Sequence, residues 1–314
     1  MPEDEQEIIL TLDVGGHHIS AGRFYLCGET LGETGHVLVP SGGTAVGFLD
    51  ALEAICREVQ SRGNEKPAAV SGLAMAMPNP FDYERGVSHM RHKFQELYGV
   101  ELRPPLSRRL GLDPGSIHFL NDAAAYLLGE LHQGAASGVR RAVVITLGTG
   151  IGSAFAVDGR IVVDGCGVPP GGEIWNLPYG GGTIEDFAGT RAIQRLHLER
   201  TGVNAQVHEI AAAAADDAVA RETFEQFGRE LGRLLRFTTA EFCPQRIVIG
   251  GGISRSSALF FPAAQAELAG LGIELRVALL GDRAPLIGAA MSWMDRESPA
   301  RELMTTAHAH DSNA

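Results

Sequence analysis

Apolar residues dominate the stretch from Ile8 to Val14, which ends in Gly15-Gly16, and a second β-rich run follows from Ile19 to Leu26. Two such runs around a glycine turn predict a β-hairpin with an exposed tip. A glycine-containing loop is expected next. From Ala45 to Ser61 the period changes: Val46, Leu49, Leu52, Ile55, Cys56 and Val59 recur at helical spacing, and Ala69 to Met75 returns to strand character. Ile117 to Leu120 reads as a short buried strand running into Asn121-Asp122, then Ala123 to His132 as a helix and Ala142 to Leu147 as a strand that again ends in glycines. Further on, Phe224, Phe227, Leu231, Leu234, Leu235 and Thr238 mark one face of a long helix, and the strand Arg246 to Ile249 runs into Gly250-Gly251-Gly252. A Gly281-Asp282 turn leads to a helix over Leu286 to Met294. The stretch from Glu297 to Ala314 has no periodicity and is expected to form a mobile tail with His308 and His310 solvated.

An internal echo organises these elements. Leu12-Asp13-Val14-Gly15-Gly16 leading to Ser20-Ala21-Gly22-Arg23-Phe24 is repeated in outline by Leu147-Gly148-Thr149-Gly150 leading to Ser153-Ala154-Phe155. Strands and helices that alternate in two similar halves predict an α/β protein of two lobes with a ligand cleft between them. The expected divisions are a small lobe over 1–117, a large lobe over 118–285, and a C-terminal helix over 286–314 that returns to the small lobe.

Composition narrows the partners. With 314 residues and 45% of them hydrophobic, the chain can bury a large core. A formal net charge of -12 repels nucleic acid and anionic membrane, so neither is an expected partner. Met1 to Gln6 is acidic and polar, unlike a signal peptide, and no run approaches a membrane span, which points to the cytoplasm. The four cysteines lie far apart, without the spacing of a zinc site, so buried reduced thiols are expected. A phosphate-bearing ligand on such an acidic chain must be held largely by backbone N–H groups, and three glycine-rich turns after strands could supply them.

The order of these turns relative to Asn121-Asp122 resembles the ROK family of sugar kinases, within the actin-like ATPase (ribonuclease H-like) fold. Asp13-Val14-Gly15-Gly16-His17 is similar to the family's first phosphate motif, Leu147-Gly148-Thr149-Gly150-Ile151-Gly152 to its second, and Arg246 to Ile253, with Gly250, Gly251 and Gly252, to its adenosine-side loop. Asn121-Asp122-Ala123-Ala124-Ala125 through Gly129-Glu130 resembles the family's Asn-Asp element. Gly172-Glu173-Ile174 and Ile184-Glu185 resemble its sugar-binding elements, and Leu286-Ile287-Gly288-Ala289-Ala290 its closing helix. The resemblance implies ATP and Mg²⁺ as cofactors, a hexose (glucose first) as acceptor, and a homodimer.

It also implies roles. Phosphoryl transfer to a hydroxyl needs a base, in-line placement and charge neutralisation. Asp122 would be the base, although an Asp there also fits as the N-cap of the following helix. Asp13 would orient Mg²⁺ through water. Asn79, in a Met77-Pro78-Asn79-Pro80-Phe81-Asp82 loop that resembles the family's Pro-Gly-Pro, would meet the sugar together with Asn121, Glu173, Asn176 and Glu185. Two departures stand out. His17-His18 replaces the hydroxyl-bearing residue after the first glycines and reads as surface histidines. Asn176 stands where the family has a zinc-binding His, and Thr183 where it has the last Cys of a zinc-binding loop, so no zinc site is expected; Trp175, Leu177, Pro178 and Tyr179 would anchor the segment by packing. The basic cluster His89, Arg91, His92 and Lys93 reads as an exposed helix face, or else as a contact for a phosphorylated or polyphosphate ligand. A sugar-responsive repressor and a non-catalytic sugar sensor are the rival readings. The first lacks a helix-turn-helix ahead of Ile8, and the second is opposed by Asp13 and Asp122.

Overall fold

The computed structural model describes residues 7–62, 69–91 and 93–297. The expected tail, with His308 and His310, and the residues Met1 to Gln6 and His92 lie outside that set. In chain order the strands are β1 Ile8–Val14, β2 His18–Tyr25, β3 Thr30–Leu38, β4 Val70–Met77, β5 Phe81–Asp82, β6 Val87–Ser88, β7 Ile117–Asn121, β8 Arg141–Leu147, β9 Ile151–Val157, β10 Arg160–Val162, β11 Pro178–Tyr179, β12 Gly182–Thr183, β13 Arg246–Gly250 and β14 Glu274–Val277. The α-helices are α1 Ala45–Ser61, α2 Arg103–Leu110, α3 Asp122–Gln133, α4 Ile184–Phe187, α5 Thr190–Thr201, α6 Val207–Ala213, α7 Ala218–Thr239, α8 Ser257–Glu267 and α9 Ala284–Glu297. None among the described residues is long and apolar enough to cross a membrane.

The chain forms two compact units, residues 1–129 with 283–314, and residues 130–282. The first division therefore falls inside α3 rather than at 117, because β7 pairs in parallel with β4 from Leu73↔Ile117 to Met77↔Asn121 and so belongs to the first sheet. Likewise the second falls after Asp282, so that all of α9 packs with the first unit.

Unit 1 is built on a sheet of order β3-β2-β1-β4-β7. Alternation along β1 divides its side chains between two cores: Ile8, Leu10 and Leu12 face the cluster that contains Phe48, Leu52, Ile55 and Val59 of α1, whereas Ile9 joins Leu120, Ala125, Ala289 and Trp293 on the side of α3 and α9. Helix α1 begins where Thr44 Oγ1 accepts the Gly47 N–H at 3.1 Å, a side-chain cap. Strand β3 lies in what the sequence shows as a loop. Its Thr, Gly and Glu residues hide the pattern, but it is an edge strand paired with β2, and Gly35 lets Ile55 and Val59 of α1 approach it closely. Small residues do the same work where α3 meets α9: a side chain on Gly129 would overlap the Ala284 carbonyl, and one on Gly288 the Ala125 carbonyl. These two helices cross backbone to backbone.

Unit 2 repeats the plan with the order β10-β9-β8-β13-β14. Its main core packs Val143, Ile145 and Leu147 of β8 against Phe224, Phe227, Leu231 and Leu235 of α7 and Phe260 of α8. Glu130 is fully buried here; its carboxylate accepts the N–H groups of Ala135 at 2.6 Å, Leu279 at 3.1 Å and Leu280 at 2.8 Å, joining the segments that enter and leave the unit. The cysteines depart from expectation. All four are free, but only Cys56 is buried, where loss of solvent pushes its thiol up to about 12; Cys27, Cys166 and Cys243 are exposed.

Candidate active site

In unit 1 the sheet delivers its chemistry at adjacent strand ends. Asp13, half-buried near the end of β1, lies between Ser20 of β2 and Ala76 of β4 in the sheet register. The turn after it closes with the Gly15 N–H donating to the His18 carbonyl at 2.9 Å. The exposed His18 ring lies over Gly15 and would have to shift to admit a side chain there, while Gly16 has nothing within 4 Å of where a Cβ would be. His17 and His18 are both exposed.

Asn121 ends β7 and Asp122 opens α3. The cap of α3 is Asn121, not Asp122: the Ala124 N–H donates to Asn121 Oδ1 at 3.0 Å. This placement makes Asp122 the first helical residue, and its Oδ1 accepts the Ala123 N–H at 2.8 Å and the Asn121 amide at 3.1 Å. The same Asn121 amide donates to the Tyr83 hydroxyl at 3.3 Å, and Tyr83 lies 2.6 Å from Asn79 Oδ1. So Asn79, Asn121 and Asp122 form one hydrogen-bonded chain through a tyrosine that sequence reasoning missed.

Lys93, named in the basic cluster that reads as an exposed helix face or else as a contact for a phosphorylated or polyphosphate ligand, is a second residue coupled to these carboxylates. The described residues of this cluster, His89, Arg91 and Lys93, are not helical, and neither is Phe94, which takes a left-handed conformation at φ 51°, has its ring buried 5.2 Å from that of Phe48, and donates its N–H to the Ser41 carbonyl at 2.7 Å. Arg91 stacks on Tyr98, with its guanidinium 4.5 Å from the ring centre. Lys93 is half-buried. Burial holds its ammonium below the usual lysine range, and the charges of Asp122 and then Asp13 pull it back up. Asp13 and Asp122 thus share a cation within their own unit. The signal was present in composition, since Lys66 and Lys93 are the only lysines in a chain otherwise based on arginine. A lysine is a compact point charge that arginine does not imitate.

Unit 2, taken by itself, presents backbone at its glycine loops. The carbonyls of Gly148, Thr149 and Gly150 crowd toward Gly189, and Gly148 accepts the Thr190 N–H at 2.9 Å and its hydroxyl at 3.0 Å. Because a trans peptide sets N–H opposite C=O, the Thr149 and Gly150 N–H groups point away from α5. Gly251, at φ 81°, packs against the Leu147 backbone so closely that a side chain would overlap it, and Ser254 Oγ donates to its carbonyl at 2.7 Å. Gly250 pairs in register with Thr146, so the second and third glycine loops are neighbours, and Gly252 begins the turn into α8.

The two carboxylates expected to meet the sugar have different partners in unit 2. Glu173 Oε2 accepts the Trp175 Nε1–H at 2.9 Å, and Glu185 Oε1 accepts from Arg191 at 2.6 Å with its other oxygen against Gly150. Asn176 is exposed. Of the expected anchors of this segment, Leu177 and Tyr179 pack against the core, whereas Trp175 is 43% exposed and Pro178 is exposed too; Ile174 is fully buried beside them. Tyr179 packs its ring 5.3 Å from Phe187 and 5.4 Å from Phe237. Among the described residues no three His, Cys, Asp or Glu side chains gather as a metal cage. Asp13, a half-buried carboxylate beside a strand end, is the kind of oxygen donor that Mg²⁺ takes one or two of, with phosphate and water completing its shell.

A model of the ROK family matches residues 9–296. The chain belongs to the ROK family. The glucokinase of Thermotoga maritima is 27% identical over 279 residues, 81% of this chain and 84% of that protein. Among solved structures, the ROK hexokinase from Thermus thermophilus is 27% identical with a TM-score of 0.72, covering 92% of this chain and 99% of its own. The inorganic polyphosphate/ATP-glucomannokinase from Arthrobacter sp. strain KM is 28% identical with a TM-score of 0.69 and the same coverage of 92% and 99%. The two units are the mixed α/β lobes of the actin-like ATPase fold that ROK proteins share.

Proposed function

We propose that this ROK protein is a sugar kinase that moves the terminal phosphoryl group of ATP to a hexose hydroxyl, with glucose the first acceptor. The observation that carries the reading is the Asp122 carboxylate, whose Oδ1 accepts two N–H groups at a strand end in the unit that also holds Asp13 and Lys93. In the reaction the sugar oxygen bonds to phosphorus, the bond to the ADP oxygen breaks, and Asp122 takes the hydroxyl proton. Lys93 supplies positive charge where phosphoryl oxygens gather, and the Thr149 and Gly150 N–H groups with the Gly251-Gly252 turn bind phosphate and nucleotide without side-chain charge. Mg²⁺, held through water by Asp13, would neutralise the phosphates when bound. Asn79, Asn121, Glu173, Asn176 and Glu185 are the acceptor-side groups. The names of the similar proteins support this assignment, as does the retention of both carboxylates. The reading carries with it a cytoplasmic homodimer, whose mass light scattering would measure.

The deciding assay is ADP release across glucose, mannose and N-acetylated hexosamines, with ATP and then polyphosphate as donor. Hexose-dependent ADP release with ATP is expected. Sugar binding with neither donor consumed would instead make the chain a sensor.

A further inference from the structure

Tyr83 stands in the turn between β5 and β6, and that turn is tied down on every side. The Gly86 N–H donates to the Asp82 carbonyl at 2.7 Å, the Leu102 N–H to the Gly86 carbonyl at 2.8 Å, and Arg103 Nη2 to the Glu84 carbonyl at 2.6 Å. The Tyr83 ring sits 5.3 Å from that of Phe81, which in turn sits 5.3 Å from Phe119 of β7. Gly86 is at φ 75°, and any side chain on it would meet the Phe119 ring. The hydroxyl is therefore delivered to a set place, and there it meets three groups: the Met77 carbonyl at 3.1 Å, Asn79 Oδ1 at 2.6 Å and the Asn121 amide at 3.3 Å.

A tyrosine hydroxyl has one proton to give, and the shortest of these contacts is to Asn79. That bond engages the Asn79 oxygen and leaves its NH₂ as the group offered to a ligand. The Asn121 amide then gives one hydrogen to the Tyr83 oxygen and the other to Asp122 Oδ1. We infer that Tyr83 is a positioning residue of the acceptor site, orienting Asn79 as a hydrogen-bond donor to an acceptor hydroxyl and steadying Asp122 through Asn121. The inference rests on the sugar-kinase reading. It goes further in assigning Asn79 to donate rather than accept, which suits a neutral polyol oxygen.

Tyr83→Phe keeps the ring contacts and removes the hydroxyl. With glucose as the probe, its calorimetric Kd and its KM should rise about tenfold, the equivalent of one lost hydrogen bond, while the KM for ATP stays unchanged. A cycle with Asn79→Ala separates positioning from general support of the fold. If Tyr83 acts through Asn79, adding Tyr83→Phe to Asn79→Ala should weaken glucose binding by less than about twofold more. Full additivity in the cycle, or unchanged glucose binding by Tyr83→Phe, would overturn the inference and leave the kinase assignment standing. A wild-type chain that binds no glucose and releases no ADP with it would sink both together.

Discussion

The two sheets follow one course, three antiparallel strands and then two parallel ones, yet equivalent strand ends carry different chemistry. In unit 1 the penultimate residue of β1 is Asp13, opposite Ser20; in unit 2 the penultimate residue of β8 is Thr146, opposite Gly152. The last strand of the first sheet runs into Asp122, whereas β14 runs into Ala278-Leu279-Leu280, whose N–H groups are partly spent on Glu130. One frame has been used twice, once to place carboxylates and a lysine, once to place backbone amides. The division suits an acidic chain: the charged side chains gather in one unit, and exposed peptide dipoles gather in the other.

The sharpest way to break this contrast is to remove the base. Asp122→Asn keeps shape and loses basicity, so turnover should fall by roughly two to four orders of magnitude while glucose still binds. Near-wild-type turnover at neutral pH would end the assignment of chemistry to unit 1. Lys93→Met is expected to cost less, on the order of tenfold to a hundredfold in turnover, because a cation beside developing phosphoryl charge is one contribution among several. Calorimetry with glucose should show little change for that variant; if glucose binding is lost and turnover at saturation is kept, Lys93 serves the acceptor instead.

Unit 2 should respond through its backbone. Gly251→Ala places a side chain at φ 81° against Leu147, so roughly 1–3 kcal/mol of stability and a share of ATP affinity should be lost. By contrast Gly16→Ala, with open space around it, should hold stability within about 0.5 kcal/mol. Thermal melts of the two variants make the comparison; equal losses would mean that the loops do not differ as described.

The smallest effect concerns acid. Hydrogen bonds from the Thr183 N–H at 2.8 Å and hydroxyl at 3.0 Å hold the Asp186 carboxyl below its ordinary value. Its folded pKa is depressed, so its contribution is complete above the ordinary carboxylate value and is lost as pH falls through the folded one. Asp186→Asn should flatten the acid side of the stability curve slightly in the segment before α4. An unchanged slope would show that the cap carries no linkage.

Much of this was legible in the chain because it depends on local rules. Glycine turns after apolar runs marked all three strand-end glycine loops, and helical spacing marked α1 from Ala45 to Ser61 as the structure has it. Strand β3 escaped because an edge strand needs little apolar surface, and its Thr30 to Leu38 shows two glycines and a polar face. Of the four apolar anchors expected before Glu185, Leu177 and Tyr179 pack on the core, but the Trp175 indole N–H is directed to Glu173 and Trp175 stays exposed.

Residue order alone pointed to the two-lobed α/β plan through its alternating periods, and to the family and the strand-end carboxylates through the resemblance of its motifs. Only tertiary structure decided that Asn121 caps α3, that Tyr83 links Asn79 to Asn121, that Lys93 feels Asp122 and Asp13, and that β7 belongs to the first unit. Each of those depends on groups distant in sequence meeting across a sheet or a turn. A side chain's partner is set by where packing leaves its last polar atom, and no periodicity in the chain records that.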